Sequence, residues 1–175
     1  MRTRTLVIVI ASFMAGAIAV LAASKVVRSD KALFEGKQPK EAALEMLAVA
    51  ESQAEKGTWE RIGVARVYYL MGEKAKAGEI LDMLMQEKLK ADDWIRLGSL
   101  YAEAGEWARA EEAFEKALAM DPKDPDYPAE AGAWYNLKGD RAKAEELFAK
   151  SFSLKADEVW NTLNVAGSYV GIKPH

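Results

Sequence analysis

The chain has 175 residues, with 24 lysines and arginines against 27 aspartates and glutamates, and it contains no cysteine. The formal net charge of −3 argues against a nucleic-acid-binding protein, which needs a basic surface to neutralise phosphates. The lack of cysteine excludes a cysteine nucleophile, and half of the residues are hydrophobic, which is enough for one packed domain.

An uncharged run of residues stands near the N-terminus, from residue 5 to residue 24. At about 1.5 Å per residue, a helix of this length just spans the hydrocarbon core of a bilayer, which is about 30 Å thick. Two arginines precede the run and Lys25 follows it, as at a membrane boundary. The sequence therefore predicts an N-terminal transmembrane anchor or signal segment over residues 1–25, with residues 5–24 in the membrane.

Two interpretations of this segment stay open, a retained anchor and a cleaved signal peptide. Small residues such as Ala22 and Ser24 fit a cleavage site, but the run is longer than the core of about 7–15 residues that signal peptides have. The short tail before the span favours a cytoplasmic N-terminus. A single-pass anchor would then place the rest of the chain in the periplasm or another extracytoplasmic space, whereas cleavage would leave a soluble periplasmic protein.

Residues 26–57 are predicted to form a degenerate leading helical segment. Pro39 suits the first turn of a helix, which we expect to continue to about Lys56. One face of this helix carries the apolar residues Ala42, Met46 and Val49.

A pattern of about 34 residues then recurs in three units, 58–90, 91–124 and 125–156. Each unit has a small residue three positions before a tyrosine, so that both lie on one helical face and a partner helix can approach closely. A glycine and an acidic residue follow, where a left-handed residue ends the first helix of the unit. These residues are Ala65, Tyr68, Gly72 and Glu73, then Gly98, Tyr101, Gly105 and Glu106, then Gly132, Tyr135, Gly139 and Asp140.

The second helix of each unit is predicted over residues 74–87, 107–120 and 141–154. Each contains an alanine four residues before a large apolar residue, which gives one apolar stripe. The alanines are Ala77, Ala110 and Ala144. Each unit is therefore a helical hairpin.

The middle unit resembles the tetratricopeptide repeat most closely. Its matching residues are Trp94, Leu97, Gly98, Tyr101, Gly105, Ala110, Phe114, Ala117 and Pro122. The outer units depart from this pattern where Arg61 and Pro128 replace the tryptophan. The resemblance implies an all-α fold, a tetratricopeptide α-solenoid of helical hairpins that serves protein recognition.

Residues 157–175 are predicted to form a C-terminal capping helix and tail, with the helix over 157–170. Val165, Ala166 and Tyr169 continue the register of the third unit. A single helix at this end would cover the last hairpin, because each hairpin of an array buries its faces against its neighbours. The complete prediction is thus one transmembrane helix, a leading helix, three hairpins and a cap.

The resemblance also implies a groove for partners along the first helices. Its positions in this sequence are Trp59, Ile62, Arg66 and Tyr69, then Asp92, Ile95, Ser99 and Ala102, then Ala129, Ala133 and Asn136, and Leu163 in the capping helix. Such a groove is mostly apolar and suits an amphipathic helix or an extended hydrophobic segment. Family members that hold a C-terminal carboxylate use lysines and asparagines there, a part that only Arg66 and Asn136 could play. Packing of Trp59, Ile62 and Tyr69 against the leading helix or a second copy is the alternative.

Catalytic, cofactor and metal motifs are missing from the sequence. The single histidine is His175, and neither a glycine-rich phosphate loop nor a metalloprotease motif is present. Asp121, Asp124 and Asp126 resemble a calcium loop, but their prolines and the lack of a loop glycine indicate a turn. We therefore expect no enzyme, no cofactor and no metal.

Three functions can be compared on this basis, and the first two require a protein partner. The leading hypothesis is a membrane-anchored adaptor in the cell envelope, for example an accessory subunit of a membrane complex, because tethering requires an anchor and a solenoid. The alternative is an assembly chaperone, because the layout is similar to the periplasmic tetratricopeptide proteins of c-type cytochrome maturation. A hydrolase or transferase is disfavoured by the missing motifs.

Overall fold

Helices account for most of residues 28–174, the part of the chain that the computed structural model describes. A short 3-10 turn at Lys31–Leu33 precedes eight α-helices within this part. They are α1 (Pro39–Ala54), α2 (Thr58–Leu70), α3 (Lys74–Leu84), α4 (Ala91–Glu103), α5 (Trp107–Met120), α6 (Asp126–Lys138), α7 (Arg141–Leu154) and α8 (Val159–Ser168). These residues contain no strand, which confirms the predicted all-α class for the described part of the chain.

The predicted membrane span over residues 5–24 lies outside the described residues, and so does His175. From residue 28 to residue 174, none of the helices combines the length and the apolar character that crossing a bilayer requires.

The helices form hairpins whose first members lie side by side. The most extensive contacts are between α2 and α3, between α4 and α5, and between α6 and α7. In addition, α2 packs on α4, α4 on α6, and α6 on α8, while α1 packs on α2. This arrangement is consistent with the predicted solenoid, and it aligns one side of α2, α4 and α6 as a continuous surface.

Two second helices have the predicted bounds, and three other helices are shorter than predicted. The α5 and α7 helices cover residues 107–120 and 141–154 as expected. The α3 helix ends at Leu84, because the chain tightens there into turns in which the Gln86 and Glu87 N–H groups donate to carbonyls three residues back. The α1 helix ends at Ala54, where Glu55 takes a positive φ of 44°. The capping helix is confined to Val159–Ser168.

A left-handed glycine ends the first helix of each hairpin, as predicted. Gly72, Gly105 and Gly139 have φ values of 91°, 77° and 98°. In each case the following acidic residue donates its N–H to the carbonyl of the tyrosine five residues back, at 2.8–2.9 Å. This is the bond of a Schellman motif, so the three hairpins share one turn geometry.

The two helices of a hairpin approach most closely at the predicted small residue. A Cβ atom added at Gly98 would lie 2.3 Å from the ring of Phe114, and one at Gly132 would lie 2.7 Å from the ring of Phe148. In the first hairpin, Leu81 stands at the position of these phenylalanines. The small residue of that hairpin is Ala65, which is fully buried. The small residue thus makes room for the ring of the partner helix, which confirms the predicted close approach.

The leading helix buries only part of the apolar face that its sequence carries. Pro39 begins α1 as expected, and Val49 is buried, but Met46 is 47% exposed and Leu47 is buried instead. Leu47 and Ala54 belong to the buried core of the described residues, and Met46 does not.

The last helix packs on α6 and leaves an apolar face uncovered. Buried Asn161 donates to Asp126 at 3.0 Å, and the Asn136 side chain donates to Ser168 at 2.9 Å, which ties α8 to α6. On the other side, Trp160 is 61% exposed and Leu163 is 52% exposed. The outer face of the predicted cap is therefore apolar, which is a surface suited to packing against a further helix.

The contact between Gly98 and Phe114 provides a test of the hairpin packing. We expect Gly98→Ala to lower the free energy of unfolding by about 1–3 kcal/mol, because Phe114 is fully buried and cannot give way. Thermal unfolding followed by circular dichroism measures the change. Gly78→Ala in α3 is the matched control, since its Cβ enters open space and alanine is the better helix former. Equal melting temperatures for the two variants would contradict the packing described here.

Candidate functional site

A cavity of about 340 Å³ lies along the aligned side of α2, α4 and α6. We call it the inner groove. Its lining residues are Trp59, Ile62, Gly63, Arg66, Arg96, Ser99, Leu100, Glu103, Glu130, Trp134, Lys173 and Pro174. The cavity therefore involves each of the three hairpins and the segment that follows α8.

The structure places the predicted groove residues in different environments. Four of them are exposed, namely Trp59, Arg66, Asp92 and Leu163, and three are half-buried, namely Ser99, Ala102 and Asn136. The buried ones are Ile62, Tyr69, Ile95, Ala129 and Ala133. Of the whole set, Trp59, Ile62, Arg66 and Ser99 line the inner groove.

A stack of tryptophan and arginine forms one wall of the groove. The guanidinium carbon of Arg96 lies 3.6 Å from the ring centroid of Trp59, which joins α4 to α2. Trp59 remains 49% exposed. A large aromatic ring held in place by a cation is the kind of side chain that dominates protein interfaces.

A hydrogen-bonded chain of three side chains joins α4 to α6 at the groove. The Trp134 indole donates to the Ser99 hydroxyl at 2.7 Å, and Ser99 donates to Glu130 at 2.6 Å. Burial raises the pKa of Glu130 to about 7, although the bond from Ser99 and the nearby charge of Arg96 act to lower it. Among the described residues, no lysine or arginine forms an ion pair with Glu130. The groove thus contains a carboxyl group without a partner cation.

A second carboxyl group in the groove, Glu103, is paired twice. Its oxygens accept from the Arg66 guanidinium at 2.5 Å and from the Lys173 ammonium at 2.9 Å. Burial acts to raise the pKa of Glu103, but the hydrogen bonds from Arg66 and Lys173 outweigh it and hold the pKa below its usual range. The side chain of Glu103 is largely buried while those of both cations are about half exposed.

Tyr69 belongs to a polar cluster between hairpins rather than to the groove. Its ring packs edge-on against Tyr101 at 6.3 Å, and its hydroxyl lies 3.5 Å from the Arg109 guanidinium. Hydrogen bonds from Tyr69, Lys74 and Arg109 lower the pKa of Glu106 to about 2. Tyr69 is buried in this cluster, which explains why it does not line the cavity.

The two residues considered for holding a carboxylate already have internal partners. Arg66 pairs with Glu103, and Asn136 bonds to Ser168 in α8. Asp92, another predicted position, accepts from the Tyr127 hydroxyl at 2.7 Å. This geometry disfavours recognition of a C-terminal carboxylate by the groove.

Five groove residues were missed by the sequence reasoning although a signal for them exists. Gly63, Arg96 and Glu130 stand one repeat apart from one another, and so do Leu100 and Trp134, and all five line the cavity. These residues occupy two positions of the repeating pattern, and the repeat spacing alone would have identified both positions on the first helices. Lys173 has no such signal, because it meets Glu103 across seventy residues of chain.

The acidic residues between α5 and α6 serve the turn. Asp121 accepts from the Lys123 N–H at 3.3 Å, and Asp124 accepts from the Asp126 N–H at 2.8 Å. Within residues 28–174, no group of three histidine or acidic side chains is arranged to hold a metal ion.

Comparison with protein families matches residues 91–124 to the tetratricopeptide repeat. The match covers α4, α5 and the turn after them, where the signature residues are most complete. A comparison with curated proteins finds no match. The matched repeat and the three hairpins of common geometry together support a tetratricopeptide-repeat protein. Repeats of this class generally act as non-catalytic modules for protein–protein interaction.

The raised pKa of Glu130 predicts a specific dependence of stability on pH. A carboxyl group whose pKa rises on folding, here from 4.5 to about 7, binds its proton more tightly in the folded state. Its contribution to the free energy of unfolding is therefore greatest below pH 4.5 and is lost as pH rises to about 7. Glu130→Gln keeps the bond from Ser99 and cannot ionise. The melting temperature of the variant should therefore rise relative to that of the native protein as the pH increases from 4.5 to about 7.

Thermal unfolding at a series of pH values tests this expectation. Glu146→Gln, at an exposed position of α7, is the matched control for the substitution itself. A difference between the Glu130→Gln variant and the native protein that stays constant from acid to neutral pH would contradict the assignment.

Proposed function

We propose that this protein is a membrane-anchored tetratricopeptide scaffold that binds a protein partner in the inner groove and tethers it at the cell envelope. The observation that carries the proposal is the exposed Trp59 ring beside Arg96 at the mouth of a cavity that involves all three hairpins. Tryptophan and arginine are enriched among the residues that contribute most to protein interfaces. The uncharged run over residues 5–24 supports the membrane part of the proposal.

A role as an accessory subunit of an envelope complex follows most simply from this layout. The groove, the anchor and the absence of catalytic motifs in the sequence together suit a protein that holds others in place. The single-pass anchor would leave the N-terminus in the cytoplasm and the repeats in the periplasm or another extracytoplasmic space.

The second candidate is an assembly chaperone of the c-type cytochrome maturation type. The exposed apolar face of α8 favours it, because Trp160 and Leu163 offer a surface for an unfolded client segment. Purification from membranes in mild detergent separates the two roles. A stoichiometric partner supports the subunit, and transient capture of unfolded segments supports the chaperone.

Replacement of the exposed aromatic anchor tests the groove directly. We expect Trp59→Ala to weaken binding of the co-purified partner by about 1–2 kcal/mol, because the ring provides contact area and Arg96 loses its stacking surface. Co-purification from membranes, followed by titration of the partner, measures the loss. Lys143→Ala combined with Glu146→Ala, an ion pair of 3.0 Å on α7, is the control and should be neutral. Equal losses in the two variants, or no loss in either, would place the binding surface elsewhere.

The anchor is tested separately. The protein should stay in carbonate-washed membranes with peptides from its first residues intact. Ile10→Arg combined with Ile18→Arg should prevent insertion, since each charge at the middle of a span costs about 2.5–3.5 kcal/mol. A soluble form whose N-terminus begins near Val20 or Lys25 would contradict a retained anchor and indicate cleavage.

A further inference from the structure

The segment after α8 turns back into the inner groove. Gly171 has a φ of 81°, and the Ile172 N–H donates to the Gly167 carbonyl at 2.9 Å. This bond closes a Schellman turn that reverses the chain at the end of the helix. Lys173 and Pro174 consequently line the cavity. We call residues 171–174 the return segment.

Among residues 28–174, one ion pair joins the return segment to the groove. The ammonium of Lys173 lies 2.9 Å from Glu103 of α4. Ion pairs of half-exposed lysines contribute little to stability, because water solvates the free ammonium well. Glu103 keeps the pair with Arg66 when Lys173 leaves. The structure therefore allows this lysine to be exchanged for another cation.

The remaining charges of the groove favour a cation over an anion. Arg66 is engaged by Glu103, and the guanidinium carbon of Arg96 lies 3.6 Å from the ring centroid of Trp59. Glu130 accepts from the Ser99 hydroxyl and, within the described residues, forms no ion pair, although the charge of Arg96 acts on it. An incoming carboxylate would meet two acidic groups, whereas an incoming ammonium or guanidinium would neutralise them.

We propose that the return segment is an internal competitor for the inner groove, and that the partner segment which displaces it presents a lysine or arginine to Glu103 and Glu130. This inference rests on the proposed function, since it states which partner chemistry the same groove accepts. Lys173 then marks the place of the partner's cation. Trp59 and Trp134 line the same cavity and offer apolar surface to the stem of such a side chain.

A pair of synthetic peptides tests the proposal on the full chain in mild detergent. Both carry a fluorescent label and the sequence of residues 167–174, one with the native lysine and one with glutamate in its place. The receptor is the Lys173→Glu variant, whose own return segment is repelled by Glu103. We expect the lysine peptide to bind this receptor about tenfold more tightly than the glutamate peptide, and also more tightly than it binds the native protein.

Two further variants separate the proposed roles. Adding Glu103→Gln to the receptor should abolish the preference for lysine while circular dichroism stays unchanged. Lys143→Glu on α7 is the matched control, because it reverses a lysine charge outside the groove. This variant should bind the lysine peptide as the native protein does. Equal binding of the two peptides, or binding of neither at the highest soluble concentration, would overturn the inference.

The outcome is distinguishable from a failure of the proposed function. A Trp59→Ala variant that loses its co-purified partner, together with peptides that bind equally, would retain the groove as the binding site and reject its cation preference. A Trp59→Ala variant that keeps its partner would reject the groove itself.

Discussion

The packing of a phenylalanine ring against the backbone of the first helix is the contact on which the second and third hairpins depend. Phe114 occupies the space that a side chain at Gly98 would fill, and Phe148 does the same at Gly132. Because the second helix is held so close on one side, the first helix is free to meet its counterparts in the neighbouring hairpins. The first helices therefore align, and their remaining side becomes the wall of the inner groove.

The groove that results combines apolar, aromatic and charged groups in a defined order. Trp59 and Arg96 form an exposed stack at one wall, and Ser99 of α4 bonds to both Trp134 and Glu130 of α6. Burial disfavours the ionised form of Glu130, which is why its pKa is raised. Such a group is more useful for recognition than for stability, because a cation from a partner would remove the penalty.

The local features of the fold could be predicted from the sequence because each depends on a few neighbouring residues. A left-handed turn at Gly105 and a close approach at Gly98 follow from the lack of a side chain, and both are confirmed. Whether a side chain at a groove position is exposed could not be predicted in the same way, because it depends on contacts with neighbouring helices. Tyr69 and Asn136 stand at groove positions in the register, yet contacts with a neighbouring helix hold them. Lys173 reaches Glu103 only because the turn at Gly171 reverses the chain.

The central claim, that the inner groove is the surface that holds a protein partner, is tested most directly by cross-linking in native membranes. A photoreactive phenylalanine analogue fits at Gly63, which lines the groove, since a side chain there meets open space. The same analogue at exposed Glu146 of α7 reports on the opposite layer. The account predicts a discrete cross-linked protein from position 63 and none from position 146. Cross-links from position 146 alone, or equally from both positions, would contradict it.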